Sequence, residues 1–449
     1  MKTLKVTLKQ HTPLIHFQHD QYGATLRASE VKPKLDEFII SREFGNSYEN
    51  CKHYLLGYKY STKKSETERE IDEINLNEGL KQKFETSNYR ALNYKLKISS
   101  DIVDEYLIAS YLSERDKATL RNMGINYLEN TPYFAQEKQN KDIVSTRNIV
   151  SWNNIGSKGV MLDNINLIVL SNNNIIGIIA RHIQSFFLYE NFGNRQNKGF
   201  GCFEVTGIFS GGSERTQELR ANEYLLRQNF LFCYKKNLQS NDLNTIFSTI
   251  NNDYKLLKSG RNRPYAKSKL MLYFLKDVNE YGYRMRWEKA FFKDNVDDVY
   301  QKDDHDNYYL QSNRNADTQY EENDRFYYIR ALLGVANQYE FLLQNPPEPN
   351  KKLVISVDGD DSGVDRFKSP IIFKVLNGCI YLAGNQIDPD ILNKRFKYYV
   401  TIQSDISWRN DPIESPLRTP STFDLKKFIQ WAMRDKTNNA SLGYESLSL

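Results

Sequence analysis

The sequence predicts an α+β protein built from two domains, and three observations lead to this prediction. A chain of 449 residues is longer than one hydrophobic core usually organises, so two domains of roughly 200 residues are expected. Segments in which polar and apolar residues alternate, as in strands, lie between segments of helical periodicity. A glycine and serine cluster at 207–213 is typical of a linker and places the domains at 1–212 and 213–449.

The first half is predicted to begin with a strand at 4–10, which ends where Pro13 lacks the N–H that a ladder needs. Ser29 and Pro33 mark the start of a helix that continues to Ile40, with Ser29 as its cap. Residues 41–90 are expected to form a polar insertion. The remaining predictions are strands at 94–99, 162–170 and near Val205, and helices at 101–123 and 175–190. Strand, helix, strands, helix and strand is the order of a ferredoxin-like domain.

The second half is predicted to be richer in helices. Amphipathic helices are expected at 214–235, 242–258, from residue 265 onward, at 327–343 and at 423–433. Strands are expected at 353–357, 371–375 and 380–383. The last two strands are joined through Asn377 and Gly378, a typical hairpin turn.

Composition excludes several classes of protein. Hydrophobic residues make up 40% of the chain and charged residues 26%, with a mean hydropathy of -0.65. These values argue against a fibrous or wholly disordered chain, and no uncharged apolar run approaches the length of a membrane span. The four cysteines are far apart, so neither a zinc site nor a disulfide framework is expected. The sequence predicts a cytoplasmic protein with no metal, no other cofactor and no membrane contact.

The charge distribution permits nucleic-acid binding. Formal net charge is +5, and one basic stretch also contains three tyrosines, Tyr254, Tyr265 and Tyr273. Its cations are Lys255, Lys258, Arg261, Arg263, Lys267 and Lys269. Because cations neutralise phosphates and aromatic faces stack on unpaired bases, this mixture suits single strands better than duplex. The alternative is a solvated face whose tyrosines belong to the core.

The most specific segment is a glycine-rich loop at 192–201, Phe-Gly-Asn-Arg-Gln-Asn-Lys-Gly-Phe-Gly. It is neither a Walker loop nor a dinucleotide fingerprint, because its glycines follow a helix and precede a strand. Glycine is needed where φ is positive or where another backbone approaches closely. We therefore predict a loop that cradles an RNA backbone, flanked by two cations. The predicted contacts are Arg195, Lys198, Gly199, Phe200 and Gly201. The alternative is an ordinary helix-to-strand turn.

Several segments resemble the RAMP superfamily of CRISPR effector proteins. They are Thr12-Pro13 after the first strand, the run Leu26-Arg27-Ala28-Ser29-Glu30-Val31-Lys32, and the loop Arg195–Gly201. Two later segments, Arg330-Ala-Leu-Leu-Gly-Val335 and Arg366-Phe-Lys-Ser-Pro-Ile-Ile372, resemble motifs of the first subunit of type III-B (Cmr) complexes. The resemblance covers about 1–45, 160–210 and 325–385.

The resemblance implies two ferredoxin-like (RRM-like) RAMP domains with helical and loop insertions. It also implies a subunit that binds the 3′ portion of the guide RNA and the target RNA, and other type III effector subunits, without cutting RNA. Arg27, Lys32 and Lys34 correspond to backbone contacts of the family. The chain departs from the family pattern at Pro33, where glycine is usual, and at Asn197, where arginine is common.

Two other functions are compatible with the sequence. His16, His19 and Asp20 could support acid–base cleavage of RNA, and backbone RAMP subunits use a loop aspartate in this part of the chain. In an extended segment, however, neighbouring side chains point to opposite faces, so these groups need not converge. The third hypothesis is a scaffold whose aromatic surface binds protein partners and not RNA.

Overall fold

The structure is a computed structural model, and it contains both helices and several sheets, which confirms the α+β class. It describes residues 2–16, 25–86, 89–109, 112–132, 157–211, 217–262, 264–276, 284–289, 291–292, 309–310, 324–335, 338–344, 352–359, 367, 369–403, 408–413, 417–437 and 441–447.

The first half forms a five-stranded sheet. Its strands are β1 (Lys2–Gln10), β2 (Lys95–Ile108), β3 (Asn126–Leu128), β4 (Ser157–Ser171) and β5 (Phe203–Ser210). Their spatial order is β3-β2-β4-β1-β5, and all neighbours are antiparallel except the parallel pair β2 and β3. The helices of this half are α1 (Ala28–Arg42), α2 (Tyr48–Cys51), α3 (Glu66–Thr86), α4 (Glu114–Asn122) and α5 (Ile175–Tyr189).

Helices α1 and α5 cover one face of this sheet. Leu4 and Val6 of β1 are buried in the same cluster as Leu35 of α1 and Ile179 of α5. The alternation of β1 places Leu4 and Val6 on this face and Lys5 on the other. Burying such apolar side chains stabilises the fold by about 1.5–3 kcal/mol each.

The second half contains two larger sheets. The first has the order β14-β15-β6-β18 and consists of β6 (Phe232–Asn237), β14 (Ile371–Leu376), β15 (Cys379–Gly384) and β18 (Glu445–Ser446). The other has the order β10-β12-β13-β16-β17 and consists of β10 (Tyr309–Leu310), β12 (Gln338–Gln344), β13 (Lys352–Gly359), β16 (Phe396–Gln403) and β17 (Trp408–Ile413).

Two strand pairs and several helices also lie in this half. The antiparallel pair is β7 (Arg261–Asn262) with β8 (Tyr265–Ala266), and the parallel pair is β9 (Arg284–Trp287) with β11 (Asp324–Tyr327). The helices are α6 (Asn222–Asn229), α7 (Leu243–Lys258), α8 (Lys269–Lys276) and α9 (Leu425–Arg434). Short 3-10 turns occur at Lys52–Tyr54, Ile329–Leu333 and Pro389–Ile391.

Many predicted elements are confirmed, and some predictions are wrong. The strands β1 and β4, the helices α5, α7 and α9 and the β14–β15 hairpin agree with the sequence. Segment 101–123 is not one helix, because β2 continues to Ile108 before α4 begins. Within segment 214–235, the described residues 217–235 form only the short α6 before β6 begins. Segment 327–343 contains a 3-10 turn and β12. In each case strand pairing overrides local helical periodicity.

Three local predictions are also corrected. Helix α1 starts at Ala28, so Ser29 lies inside its first turn and does not cap it. Gly207, assigned to the linker, belongs to β5. The helix predicted from Tyr265 begins only at Lys269, after the β7–β8 hairpin.

A buried lysine connects the two halves. Lys374 of β14 is fully buried and donates hydrogen bonds to the carbonyl oxygens of Phe187 and Glu190 and to Oδ1 of Asn191, the last two at 2.8 and 2.9 Å. These acceptors lie at the carboxyl end of α5, where the unpaired carbonyls of a helix attract a cation. Burial lowers the pKa of Lys374 to about 8, so the side chain is still charged at neutral pH.

We predict that Lys374→Met lowers the free energy of unfolding by about 3 kcal/mol, because three buried oxygens lose their donor. Chemical denaturation followed by circular dichroism measures this change. Lys235→Met on β6 is the matched control, since its partner Glu223 is exposed and its loss should cost less than about 1 kcal/mol. Equal losses in the two variants would contradict the role of Lys374.

Candidate RNA-binding site

The glycine-rich loop at 192–201 lies between the two halves of the molecule. On one side, the amide of Asn194 donates to the carbonyl of Ile15 at 2.7 Å, and that of Gly201 donates to Pro13 at 2.9 Å. On the other side, the amide of Phe373 in β14 donates to the carbonyl of Asn197 at 3.1 Å. The loop is therefore fixed by backbone hydrogen bonds to both halves.

The glycines allow these close approaches within the chain. Gly193, Gly199 and Gly201 have φ angles of 76°, 85° and 63°, in the left-handed region that favours glycine. A Cβ at Gly201 would lie 2.0 Å from the carbonyl oxygen of Phe192, and one at Gly193 would lie 2.4 Å from that of Ile15. The backbone that approaches these two glycines is therefore the protein's own.

Phe200 belongs to the core of the second half. Its ring stacks on Phe247 of α7 with centroids 4.0 Å apart, and both side chains are fully buried. This contact holds the loop against α7. The face of Phe200 that packs on Phe247 is closed to an RNA base.

Arg195 and Lys198 provide the positive charge of the loop. Arg195 is buried, and its guanidinium lies 3.4 Å from the Thr131 hydroxyl and 5.8 Å from the centre of the Phe200 ring. Burial lowers the pKa of Arg195 to about 10, which leaves it charged at neutral pH. Lys198 is half-buried, and its ammonium lies 5.2 Å from the centre of the Tyr254 ring.

Lys258, at the end of α7, adds a third cation beside the loop. Its ammonium lies 5.6 Å from the Tyr254 ring centre and donates to the carbonyl of Gly334 at 2.7 Å. Burial, together with the neighbouring charges of Lys198 and Arg330, lowers the pKa of Lys258 to about 7. Burial and the charge of Arg195 lower the pKa of Lys198 to about 8. Positive charge is therefore crowded at this position.

Two distant segments meet the loop at the same place. Gly334 follows the 3-10 turn at 329–333, and Ser369 precedes β14. Nδ2 of Asn197 donates to the carbonyl of Ser369 at 2.9 Å, and a Cβ at Gly334 would lie 3.7 Å from that of Ser369. Within the described part of the chain, Oδ1 of Asn197 and Oγ of Ser369 are buried without a hydrogen-bond partner. We name this junction of residues 195–198, 258, 334 and 369 the loop junction.

Two models of known protein domains together cover most of the chain. Residues 1–261 match the model of the Cmr1 N-terminal domain, and residues 265–445 match that of the Cmr1 C-terminal domain. The chain belongs to the Cmr1 family. This family membership confirms the resemblance seen in the sequence and indicates a subunit of the multi-subunit type III-B complex. No curated protein matches the chain in sequence.

The lysines of α1 that the sequence predicts to contact RNA form hydrogen bonds within the protein itself. The ammonium of Lys32 donates to Asp36 at 2.6 Å and to the carbonyl of Leu92 at 2.9 Å. That of Lys34 donates to Gln196 of the loop at 2.7 Å and to the carbonyl of Asn191 at 3.1 Å. Arg27 immediately precedes α1 and is partly exposed. Lys34 thus supports the loop junction, whereas Lys32 binds Asp36.

The remaining predicted residues are dispersed. Lys255 is exposed on α7, Arg261 begins β7, and Lys267 follows β8, while Arg263 lies outside the described residues. Lys258 belongs to the basic stretch of the sequence, and its place beside the loop is not predicted there. Its position four residues after Tyr254 on α7 was the available signal, because such residues share a helix face.

The structure describes one of the three acid–base candidates. His16 is buried, whereas His19 and Asp20 lie outside the described residues. No cluster of three or more metal-ligating side chains occurs among the described residues. In the same part of the chain, no helix is long and apolar enough to cross a membrane.

We predict that Gly201→Ala lowers the free energy of unfolding by about 3 kcal/mol or more, through an unfavourable φ and a clash with the Phe192 carbonyl. Gly45→Ala is the control, because its φ of 60° is equally unfavourable but nothing lies within 4 Å. It should cost only about 1–2 kcal/mol. Thermal and denaturant unfolding compare the two variants, and equal costs would disprove the close approach at Gly201.

Proposed function

We propose that this Cmr1-family chain is an RNA-binding subunit of a CRISPR type III-B complex that contacts the 3′ portion of the guide RNA and the target RNA without cutting. Family membership supports its place in the complex. The loop junction supports RNA binding, because it places Lys198 and Lys258 over the Tyr254 ring, with the charge of Arg195 close enough to act on Lys198. The other subunits of the complex and the two RNAs are its proposed partners.

The observation that carries the proposal is the gathering of these cations beside the loop. Burial and the charges of Lys198 and Arg330 lower the pKa of Lys258, whereas the charge of Glu288 acts in the opposite direction. An external anion stabilises the charged forms of such buried and crowded cations, and RNA phosphate is such an anion. Lys198 is the most accessible of the three, so we assign it the direct phosphate contact and assign Arg195 a supporting role.

We also propose that the two halves are RAMP domains of ferredoxin-like fold. In the first half, β1, α1, β2, β4, α5 and β5 follow one another, and the sheet order is β2-β4-β1-β5. In the second half, β6, α7, β14, β15, α9 and β18 follow one another, and the order is β14-β15-β6-β18. Both halves therefore place their second, third, first and fourth strands in the same spatial order, as expected for this fold. A boundary near residue 212 agrees with the end of β5 at Ser210.

No specific observation favours the ribonuclease alternative, which depends on Asp20, His16 and His19. His16 is buried at 6% exposure, so reaching a substrate would require movement of the segment. The scaffold alternative, in which the surface binds protein partners, predicts no RNA affinity beyond a weak, salt-sensitive attraction.

We predict that Lys198→Ala weakens binding of single-stranded RNA about tenfold, because a charge-assisted hydrogen bond to phosphate is lost. It should also reduce the slope of log affinity against log salt by about 0.7. Fluorescence anisotropy with a labelled oligonucleotide measures both. Lys64→Ala is the control, since Lys64 is exposed in the segment before α3. Identical binding by both variants and wild type would refute the contact.

We predict that RNA affinity falls as pH rises from about 7 to 9. The pKa values of Lys258 and Lys198 are about 7 and 8 in the free protein. A bound phosphate favours their charged forms, so binding takes up protons and weakens as these groups lose them. Lys198→Arg keeps its charge throughout this range and should reduce the fall. Anisotropy titrations at fixed salt test this, and a pH-independent affinity in wild type would contradict the prediction.

A further inference from the structure

The face of the first sheet opposite α1 and α5 has a distinct chemistry. On the covered face, Leu4 lies opposite Val169 and Val6 opposite Leu167. The alternate residues point to the other face, where Lys5 is exposed and Ile168 is half-buried. We name this second surface the open face.

The open face carries cations and apolar groups in register. One row across four strands consists of Lys97 on β2, Ile168 on β4, Lys5 on β1 and Phe209 on β5. The adjacent row contains Lys95, Leu170 and Thr3, and the row on the other side contains Ser99, Asn166, Thr7 and Gly207. Since neighbouring strands lie about 4.8 Å apart, Lys97 and Lys5 are separated by about 10 Å.

Positive charge on these rows is not balanced by acids. Lys5, Lys95 and Lys97 are exposed, and the three rows contain no Asp or Glu. The next pair along β1 and β5 joins Lys9 to Glu204, whose carboxylate already accepts hydrogen bonds from His11 and Asn222. The next pair along β2 and β4 joins Asp101 to Asp163, so the part of the open face that favours a polyanion is limited to the three rows.

The aromatic ring on this face lies flat against the sheet. A Cβ at Gly207 would lie 2.8 Å from Cε2 of Phe209 and 3.0 Å from its Cζ. The ring thus extends over the glycine two residues earlier in β5 and does not project away from the strand. Phe209 remains half-buried, so part of the ring is accessible beside Lys5.

We propose that the open face is a second RNA-binding surface, on which Lys5, Lys95 and Lys97 contact the phosphates of a single strand and Phe209 stacks on one base. This proposal rests on the proposed function and adds a site separate from the loop junction. Cations beside an accessible aromatic ring suit single-stranded nucleic acid, because unpaired bases can stack while phosphates remain near the cations. A duplex would not present its bases to Phe209.

Substitutions of Phe209 in the full-length protein distinguish stacking from simple apolar contact. Phe209→Tyr keeps an aromatic face and should bind a labelled single-stranded RNA as wild type does. Phe209→Leu keeps apolarity without stacking and should weaken binding about fivefold or more. Equal affinities for the Leu and Tyr variants would overturn the stacking role and the proposal with it. Circular dichroism and thermal unfolding confirm that each variant is folded.

Charge variants test the phosphate contacts. The double variant Lys5→Ala with Lys97→Ala should reduce the salt slope by about 1.4, at 0.7 for each contact. The control removes two exposed lysines near α3, Lys63→Ala with Lys64→Ala, and should leave the slope unchanged.

If only Lys198→Ala weakens binding, the open face is not an RNA site, although the proposed function stands. If wild type binds no RNA, the proposed function fails as well. If the Lys5→Ala with Lys97→Ala variant no longer binds neighbouring subunits but keeps the RNA affinity of wild type, the open face is a protein interface and this proposal is overturned.

Discussion

The arrangement of the site depends on the hydrogen bonds of the buried Lys374 ammonium. The Lys374 side chain extends from β14 in the second half to the carboxyl end of α5 in the first, where its ammonium donates to Phe187, Glu190 and Asn191. The side chain of Asn191 in turn donates to the carbonyl of Phe373 on β14. Because the glycine-rich loop starts at residue 192, these bonds fix its origin relative to both sheets.

The fixed loop explains why like charges can gather beside it. Backbone hydrogen bonds and the stacking of Phe200 on Phe247 hold the loop in place, so Lys198 cannot move far from Lys258. Burial lowers the pKa of both lysines, and the neighbouring cations lower it as well: Arg195 acts on Lys198, and Lys198 acts on Lys258. A bound phosphate would stabilise their charged forms, which links the rigidity of the fold to anion affinity.

Periodicity and turn chemistry predicted the elements whose signals are local. The alternation of β1, the apolar run of α5 and the Asn377-Gly378 turn each specify one structure. The extent of β2 could not be predicted in this way. Most of its side chains are exposed or half-exposed, and its pairing with β4 is long-range. The loop junction has no local signal either. The family resemblance drew attention to the segments that contain Gly334 and Ser369, but it did not place them beside the loop.

The most direct test of the account is a titration of the purified full-length protein with labelled single-stranded guide-type RNA at two salt concentrations. Each sample is run on a native gel and on a denaturing gel. If the chain binds RNA without cutting it, the native gel shows a shifted complex that weakens as salt increases, and the denaturing gel shows RNA of unchanged length. Shortened RNA would favour the ribonuclease hypothesis, and the absence of any shift at low salt would contradict RNA binding by this chain.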